Sequence, residues 1–131
     1  MAQQAIEIIL LRQWASYLAL PVFIADHDGQ LLFYNEPAEA LLGQRYDEAG
    51  EMPVSELSDI FETKTEAWDP LDSSDLPLAI ALAELRPAHK RFRIKGLDHE
   101  WRTIEVTAFP IEGQAERHLG AVAIFWEAHS R

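Results

Sequence analysis

Two short segments carry residue types suited to acid–base or metal chemistry, Asp26-His27-Asp28 and Asp98-His99-Glu100. A carboxylate beside an imidazole can move a proton or hold a cation. Both segments fall in turn-forming sequence: Gly29 follows the first, and Lys95-Gly96-Leu97-Asp98 leads into the second. Charge in such turns is normally solvated, so surface is the expectation for both. The five histidines, at positions 27, 89, 99, 118 and 129, include no pair at helical metal-ligand spacing. The chain has no cysteine, which excludes disulfides, Cys-based zinc sites and thiol redox chemistry. It has no Gly-rich phosphate loop and no nucleophile elbow. A pocket enzyme would need an inward carboxylate of raised pKa, for which Asp26 and Glu62 are the candidates. Independent catalysis is not expected.

Composition narrows the remaining classes. The 131 residues suit one domain with a core of its own. Hydrophobic residues make up 48% and charged residues 25%, the balance of a globular chain rather than a disordered one. A net charge of −11 repels phosphate backbones, so nucleic acid is not an expected partner. The acidic run Asp47 to Glu51 reads as solvated surface. The apolar run Ile8 to Leu11 is too short to span a bilayer, and no basic start precedes it as in a secretory leader. A soluble cytoplasmic protein, away from the membrane, is the expectation.

These residues must be positioned by a small set of elements. Residues 1–19 read as an amphipathic helix ahead of a domain spanning 20–131. On that helix Ile6, Ile9, Leu10, Gln13, Trp14, Tyr17 and Leu18 share a stripe, widened by Leu11 and Ala15. Pro21 ends it. Two apolar strands, Val22 to Ala25 and Leu31 to Tyr34, flank Asp28-Gly29, a two-residue signal for a type I′ hairpin. Asn35 can cap the next helix, Pro37 fits its first turn, and Gly43 can end it. Val54 to Phe61 holds one or two helical turns, and Lys64 to Asp75 reads as loop. A longer helix is expected from a cap at Asp75 to Leu85, with Leu78, Leu82 and Leu85 on one stripe and Pro87 as the stop. Three strands follow. Phe92 and Ile94 alternate with Arg91, Arg93 and Lys95, and Ile104, Val106 and Ala108 alternate with Thr103, Glu105, Thr107 and Phe109. Leu119 to Trp126 is nearly all apolar, as in a central strand covered on both faces.

The stretch Asp26-His27-Asp28-Gly29, Leu31-Leu32-Phe33-Tyr34-Asn35 and Ala40-Leu41-Leu42-Gly43 resembles the entry half of a PAS domain. Asp72-Ser73-Ser74-Asp75-Leu76-Pro77-Leu78 resembles that family's helix entry in bacterial sensors. Arg102 to Ile111 and Gly120 to Phe125 resemble its last two strands. The likeness covers about residues 20 to 127. It implies an α+β fold: a five-stranded antiparallel sheet, short helices on one face, and here an N-terminal amphipathic helix. In this reading Asp28, Gly29, Asn35 and Gly43 are structural. One departure concerns the end of the chain. Many family members leave the last strand through an Asp-x-Thr junction into a coiled coil, whereas this chain has Glu127-Ala128-His129 and lacks the Thr. A standard helical output at this end is therefore in question.

The resemblance implies a sensory or regulatory role, with a signalling partner or output domain reading a conformational change. A candidate pocket is enclosed by Ile24, Tyr34, Leu42, Phe61, Leu78, Leu82, Phe92 and Ile104, with Tyr34 as its polar handle and a small apolar molecule as its ligand. The stronger expectation is that the same residues simply form a dry core. Flavin adduct chemistry needs a Cys that is absent, and the inward strand faces offer no Asn or Gln to a flavin ring. Relatives that hold haem supply a His from the helix corresponding to Asp75 to Leu85, which has none. Neither cofactor is expected. A homodimer is expected through Ile6, Leu10, Trp14, Tyr17, Phe109 and Trp126, since aromatic residues concentrate at interface centres. Docking of the helix on its own sheet would use the same surface. A ligand-free dimerisation or scaffold module and a small enzyme with a pocket carboxylate are the alternatives.

Overall fold

The structure, a computed structural model, describes residues 6–42, 52–53, 61–96, 99–113 and 118–128. In chain order the elements are α1 (Ile6–Ala15), β1 (Val22–Asp26), β2 (Gln30–Tyr34), α2 (Glu36–Leu42), β3 (Met52–Pro53) and β4 (Thr63–Lys64). A 3₁₀ turn (Ser73–Asp75), α3 (Pro77–Glu84), β5 (Ala88–Lys95), β6 (Trp101–Glu112) and β7 (His118–Glu127) follow. One sheet contains all seven strands in the order β3-β2-β1-β7-β6-β5-β4, every neighbouring pair antiparallel. The expected count of five is too low: among the described residues five longer strands are joined by two short ones. The two additional ones, β3 and β4, have two residues each and sit at the sheet edges, too short to show a period in sequence.

The alternation read in the last third holds. On β5 and β6 the residues Phe92, Ile94, Ile104, Val106 and Ala108 are buried together on the inner face. Helix α3 packs across β5, β6 and β7 on that face. On β7 the run from Leu119 to Ala123 is buried without a break, because β1 and β6 flank the strand and both its faces are covered. Each large side chain so buried contributes about 1.5–3 kcal/mol relative to exposure.

Several local features differ from expectation. The β1–β2 turn is not a two-residue type I′ turn. It is a three-residue loop, His27-Asp28-Gly29, closed by Gly29 N–H donating to the Asp26 carbonyl at 3.1 Å, and only Gly29 takes a positive φ, +85°. That is the type I turn followed by a left-handed glycine that is common in three-residue hairpins. Asp26 holds the turn by accepting the N–H groups of Asp28 and Gln30 at 3.0 and 2.9 Å. Asp75 does not cap the longer helix. Asp72 instead caps the 3₁₀ turn, accepting from the Ser74 N–H and hydroxyl, and α3 begins at Pro77 after Leu76. These bonds from Ser74 hold the Asp72 carboxyl below its usual pKa. Leu85, with a left-handed φ of 57°, ends α3 two residues ahead of Pro87.

Asn35 caps α2 as expected, through Ala38 N–H at 3.2 Å. Its role is wider than that of a cap. Its Oδ1 also accepts from Val22 N–H at 3.0 Å, and its Nδ2 donates to the carbonyls of Ala15 and Leu20, both at 2.9 Å. One side chain, 2% exposed, thus fastens the end of α1, the start of β1 and the start of α2. Gly43, the expected end of α2, lies outside the described residues.

Candidate functional site

The sheet carries a different cluster on each face. On the inner face a cavity of about 40 Å³ lies between α3 and the strands. Its wall comprises Phe23, Phe61, Thr63, Leu76, Pro77, Leu78, Phe92, Ile94, Ile104, Val106, Ala123 and Phe125. The one hydroxyl in that wall, on Thr63, is already donated to the Leu71 carbonyl at 2.8 Å. The cavity therefore presents hydrocarbon and aromatic surface. A void of that character and size admits a molecule of a few heavy atoms and offers a charged one no partner.

On the outer face α1 lies across one half of the sheet. Ile8, Leu11, Ala15 and Leu18 pack with Val22, Ile24, Leu32, Leu119, Val122 and Ile124. The two faces share the same strands. Phe23, Ala123 and Phe125 face the cavity, whereas Val22, Ile24, Val122 and Ile124, their immediate neighbours in sequence, carry α1. Strand alternation allows nothing else. Any displacement of β1 or β7 at the cavity is thus presented directly to α1.

No family model and no curated protein matches the chain. Solved structures do. The PAS domain of BvgS from Bordetella pertussis superposes with a TM-score of 0.71 at 14% identity, over 97% of this chain and 90% of that one. The PAS domain of nitrogen regulation protein NR(II) from Vibrio parahaemolyticus gives 0.62 at 20% identity, over 91% and 98%. The LOV protein of Rhodobacter sphaeroides gives 0.72 at 12% identity, over 95% and 69%. The chain has a PAS fold.

Within this PAS fold the pocket residues expected from sequence separate. Phe61, Leu78, Phe92 and Ile104 line the cavity. Tyr34 is buried in the same inner cluster, its ring edge-on to Phe23 at 5.5 Å, and Leu82 packs against that cluster partly exposed; neither is part of the cavity wall. Ile24 is misplaced by the sequence reading: it lies on the outer face under α1. The side chain of Leu42 lies outside the described residues. Missed wall residues include Phe23, Ile94, Val106 and Phe125. The inward phase of β5 and β6 already pointed to Ile94 and Val106, whereas Phe23 needed the true phase of β1.

The helix residues behave in a similar way. Ile6, Leu10, Trp14 and Tyr17 are exposed, with Ile6 at 67% and Tyr17 at 83%, because the buried face is the one through Ile8, Leu11, Ala15 and Leu18. The helix docks on its own sheet and still presents a second apolar side. Phe109 is exposed and Trp126 half-buried. Of the acid–base candidates, Asp26 is occupied by turn amides, Glu62 is exposed, and neither lines the cavity. His27, Asp28, His99 and Glu100 are exposed, and Asp98 lies outside the described residues. Among the described residues no three His, Asp or Glu side chains cluster as a metal site, and no helix is long and apolar enough to cross a membrane.

Proposed function

We propose that this PAS-fold chain is a sensory or regulatory domain that relays the state of its cavity, through β1 and β7, to a partner or output domain reading the outer face. The supporting observation is the shared-strand arrangement: Phe23, Ala123 and Phe125 at the cavity alternate with Val22, Ile24, Val122 and Ile124 under α1. A ligand shifts the domain only by binding one packing of these strands better than another, so the effect is a population shift. The proposed ligand is a small apolar molecule. Haem and flavin are not proposed, since the described wall contains no His and no side-chain amide. The proposed assembly is a homodimer through the exposed side of α1, with Ile6, Leu10 and Trp14, and through Tyr17 in the turn just beyond it, joined by Phe109 and Trp126. Phe109 neighbours the α1 footprint, because it pairs with Val122 and stands two residues from Ile111.

Native mass spectrometry of the purified chain and of Ala123→Val tests this reading. The expected result is a dimer carrying additional non-covalent mass, with the valine variant still dimeric and bare because the added methyl groups fill the cavity. Ligand addition should also change amide exchange in α1. A bare dimer with no exchange response favours the second reading, a ligand-free dimerisation module, which the small cavity volume supports. A bare monomer overturns both.

A further inference from the structure

The half of the outer face that α1 leaves open is built differently. Of the eleven Lys and Arg residues in a chain of net charge −11, Lys64, Arg91, Arg93 and Lys95 stand together on the outer side of β4 and β5. Two of them are tied down. Arg91 Nε lies 3.1 Å from Glu66 Oε2. Arg93 donates to the Glu66 carbonyl from Nε and Nη2 at 3.2 and 3.1 Å and to Thr103 Oγ1 at 2.8 Å, and its guanidinium lies 4.4 Å from the Trp68 ring centroid.

The other two are placed differently. Lys64 and Lys95 hold their ammonium groups 5.6 and 6.0 Å from the centroid of a single indole, that of Trp101. Among the described residues neither is within ion-pair distance of a carboxylate. Trp101 is itself braced edge-to-face by Trp68 at 5.2 Å. Trp68 is 48% exposed and keeps a left-handed φ of 69°, uncommon for a bulky residue. A tight hairpin imposes it: Trp68 N–H donates to the Thr65 carbonyl at 2.9 Å, and Thr65 N–H to that of Asp69 at 2.8 Å.

We propose that this surface docks a carboxylate-bearing segment of a partner protein, its acids received by Lys64 and Lys95 beside Trp101 and its apolar side chains by the exposed indole of Trp68. Two like charges held near one ring repel each other, and a carboxylate between them removes that cost. The aromatic contacts order both lysines beforehand, so less side-chain freedom is lost on binding. A nucleic acid suits the site less well, because its continuous phosphates would run beyond four cations onto an acidic molecule. The docking site is separate from the cavity and from the exposed side of α1, and it stands or fails apart from them.

The test follows the indole N–H signals of the ¹⁵N-labelled full chain, assigned through Trp→Phe variants. The probe is an octapeptide of alternating Glu and Leu. It should shift Trp68 and Trp101, leave Trp14 in place, and bind at least tenfold more weakly to K64Q/K95Q, whose thermal midpoint should stay near that of the parent. Several results overturn the proposal: no shift at millimolar peptide, a response centred on Trp14, or equal binding to K64Q/K95Q. A stronger response at the same two indoles to an oligothymidine octamer also overturns it, in favour of nucleic acid.

Discussion

The two halves of the outer sheet face meet the same physical demand in different ways. Under α1, strands β1 and β7 present Val22, Ile24, Val122 and Ile124, and a helix removes them from water. On β5 and β6 the outward residues include Arg91, Arg93, Lys95, Trp101, Thr103 and Glu105, and no helix covers them among the described residues. There the aromatic surface is shielded by cations lying over it. The first half derives stability from buried area and fixed backbone contacts. The second derives little stability but holds charge in defined positions. One half is built as structure and the other as surface, and mutations should separate them by size of effect.

The largest effect is expected at Gly120. It pairs with Asp26 of β1, takes a φ of +150°, and a Cβ there would overlap the Ala25 carbonyl oxygen. Gly120→Ala must separate β1 from β7, the two strands beneath α1. A loss on the order of 4 kcal/mol is expected by denaturant unfolding, at the diagnostic end of single substitutions. A loss under about 1 kcal/mol would show that the two strands yield easily and would undercut their role as a relay.

Asn35 comes next. Asn35→Ala strands the Val22 N–H, takes the Asn35 donor from the Leu20 carbonyl and leaves the Ala15 carbonyl with the Leu18 N–H, and a loss of about 2–4 kcal/mol is expected because buried polar groups lose partners. Asn35→Asp sharpens the distinction. It keeps the acceptor for Val22 and Ala38 but loses the donors to Ala15, at the end of α1, and to Leu20, just ahead of β1. Amide exchange should then rise in α1 while α2 stays protected. Equal protection in both helices would show that Asn35 does not anchor α1.

How far sequence could see these differences depends on how one-sided each element is. Strands β5 and β6 bury one face only, so Phe92, Ile94, Ile104 and Val106 were legible from alternation. Strand β1 is buried on both faces from Val22 to Ala25, so its phase was not, and Ile24 was assigned to the wrong side. Helix α1 is apolar nearly all round, with Ile6, Ile8, Ile9, Leu10 and Leu11 in close succession. Its buried face is selected by contacts distant in sequence, above all Asn35 with Ala15, which no local period records. The cluster around Trp101 depends on Lys64, Trp68 and Arg93 meeting across β4, β5 and a loop. The only local sign of it was the Arg-x-Arg-x-Lys alternation of β5.

A matched pair on α1 tests whether its two sides differ as the fold requires. Ile8 is buried against the sheet, and its neighbour Ile9 is exposed. Ile8→Ala should cost about 2–3 kcal/mol, toward the low end for a buried isoleucine, since α1 can settle on the smaller residue. Ile9→Ala should change monomer stability by less than about 0.5 kcal/mol. The proposed dimer through this side should add a concentration-dependent loss of stability in Ile9→Ala, and its absence would count against that dimer.

The smallest effect belongs to the open half. Arg93→Lys retains the positive charge but loses the flat fork that reaches the Glu66 carbonyl and Thr103 together while covering Trp68. An ammonium cannot reproduce that geometry. The expected loss is about 1 kcal/mol or less, the scale of a partly exposed cation–π contact and its hydrogen bonds. It should appear as a modest shift in denaturant midpoint with an unchanged slope, accompanied by a change in the Trp68 indole signal. A loss as large as that of Ile8→Ala would show that the aromatic–cation cluster supports the fold as the helix does. The two halves would then no longer divide into structure and surface.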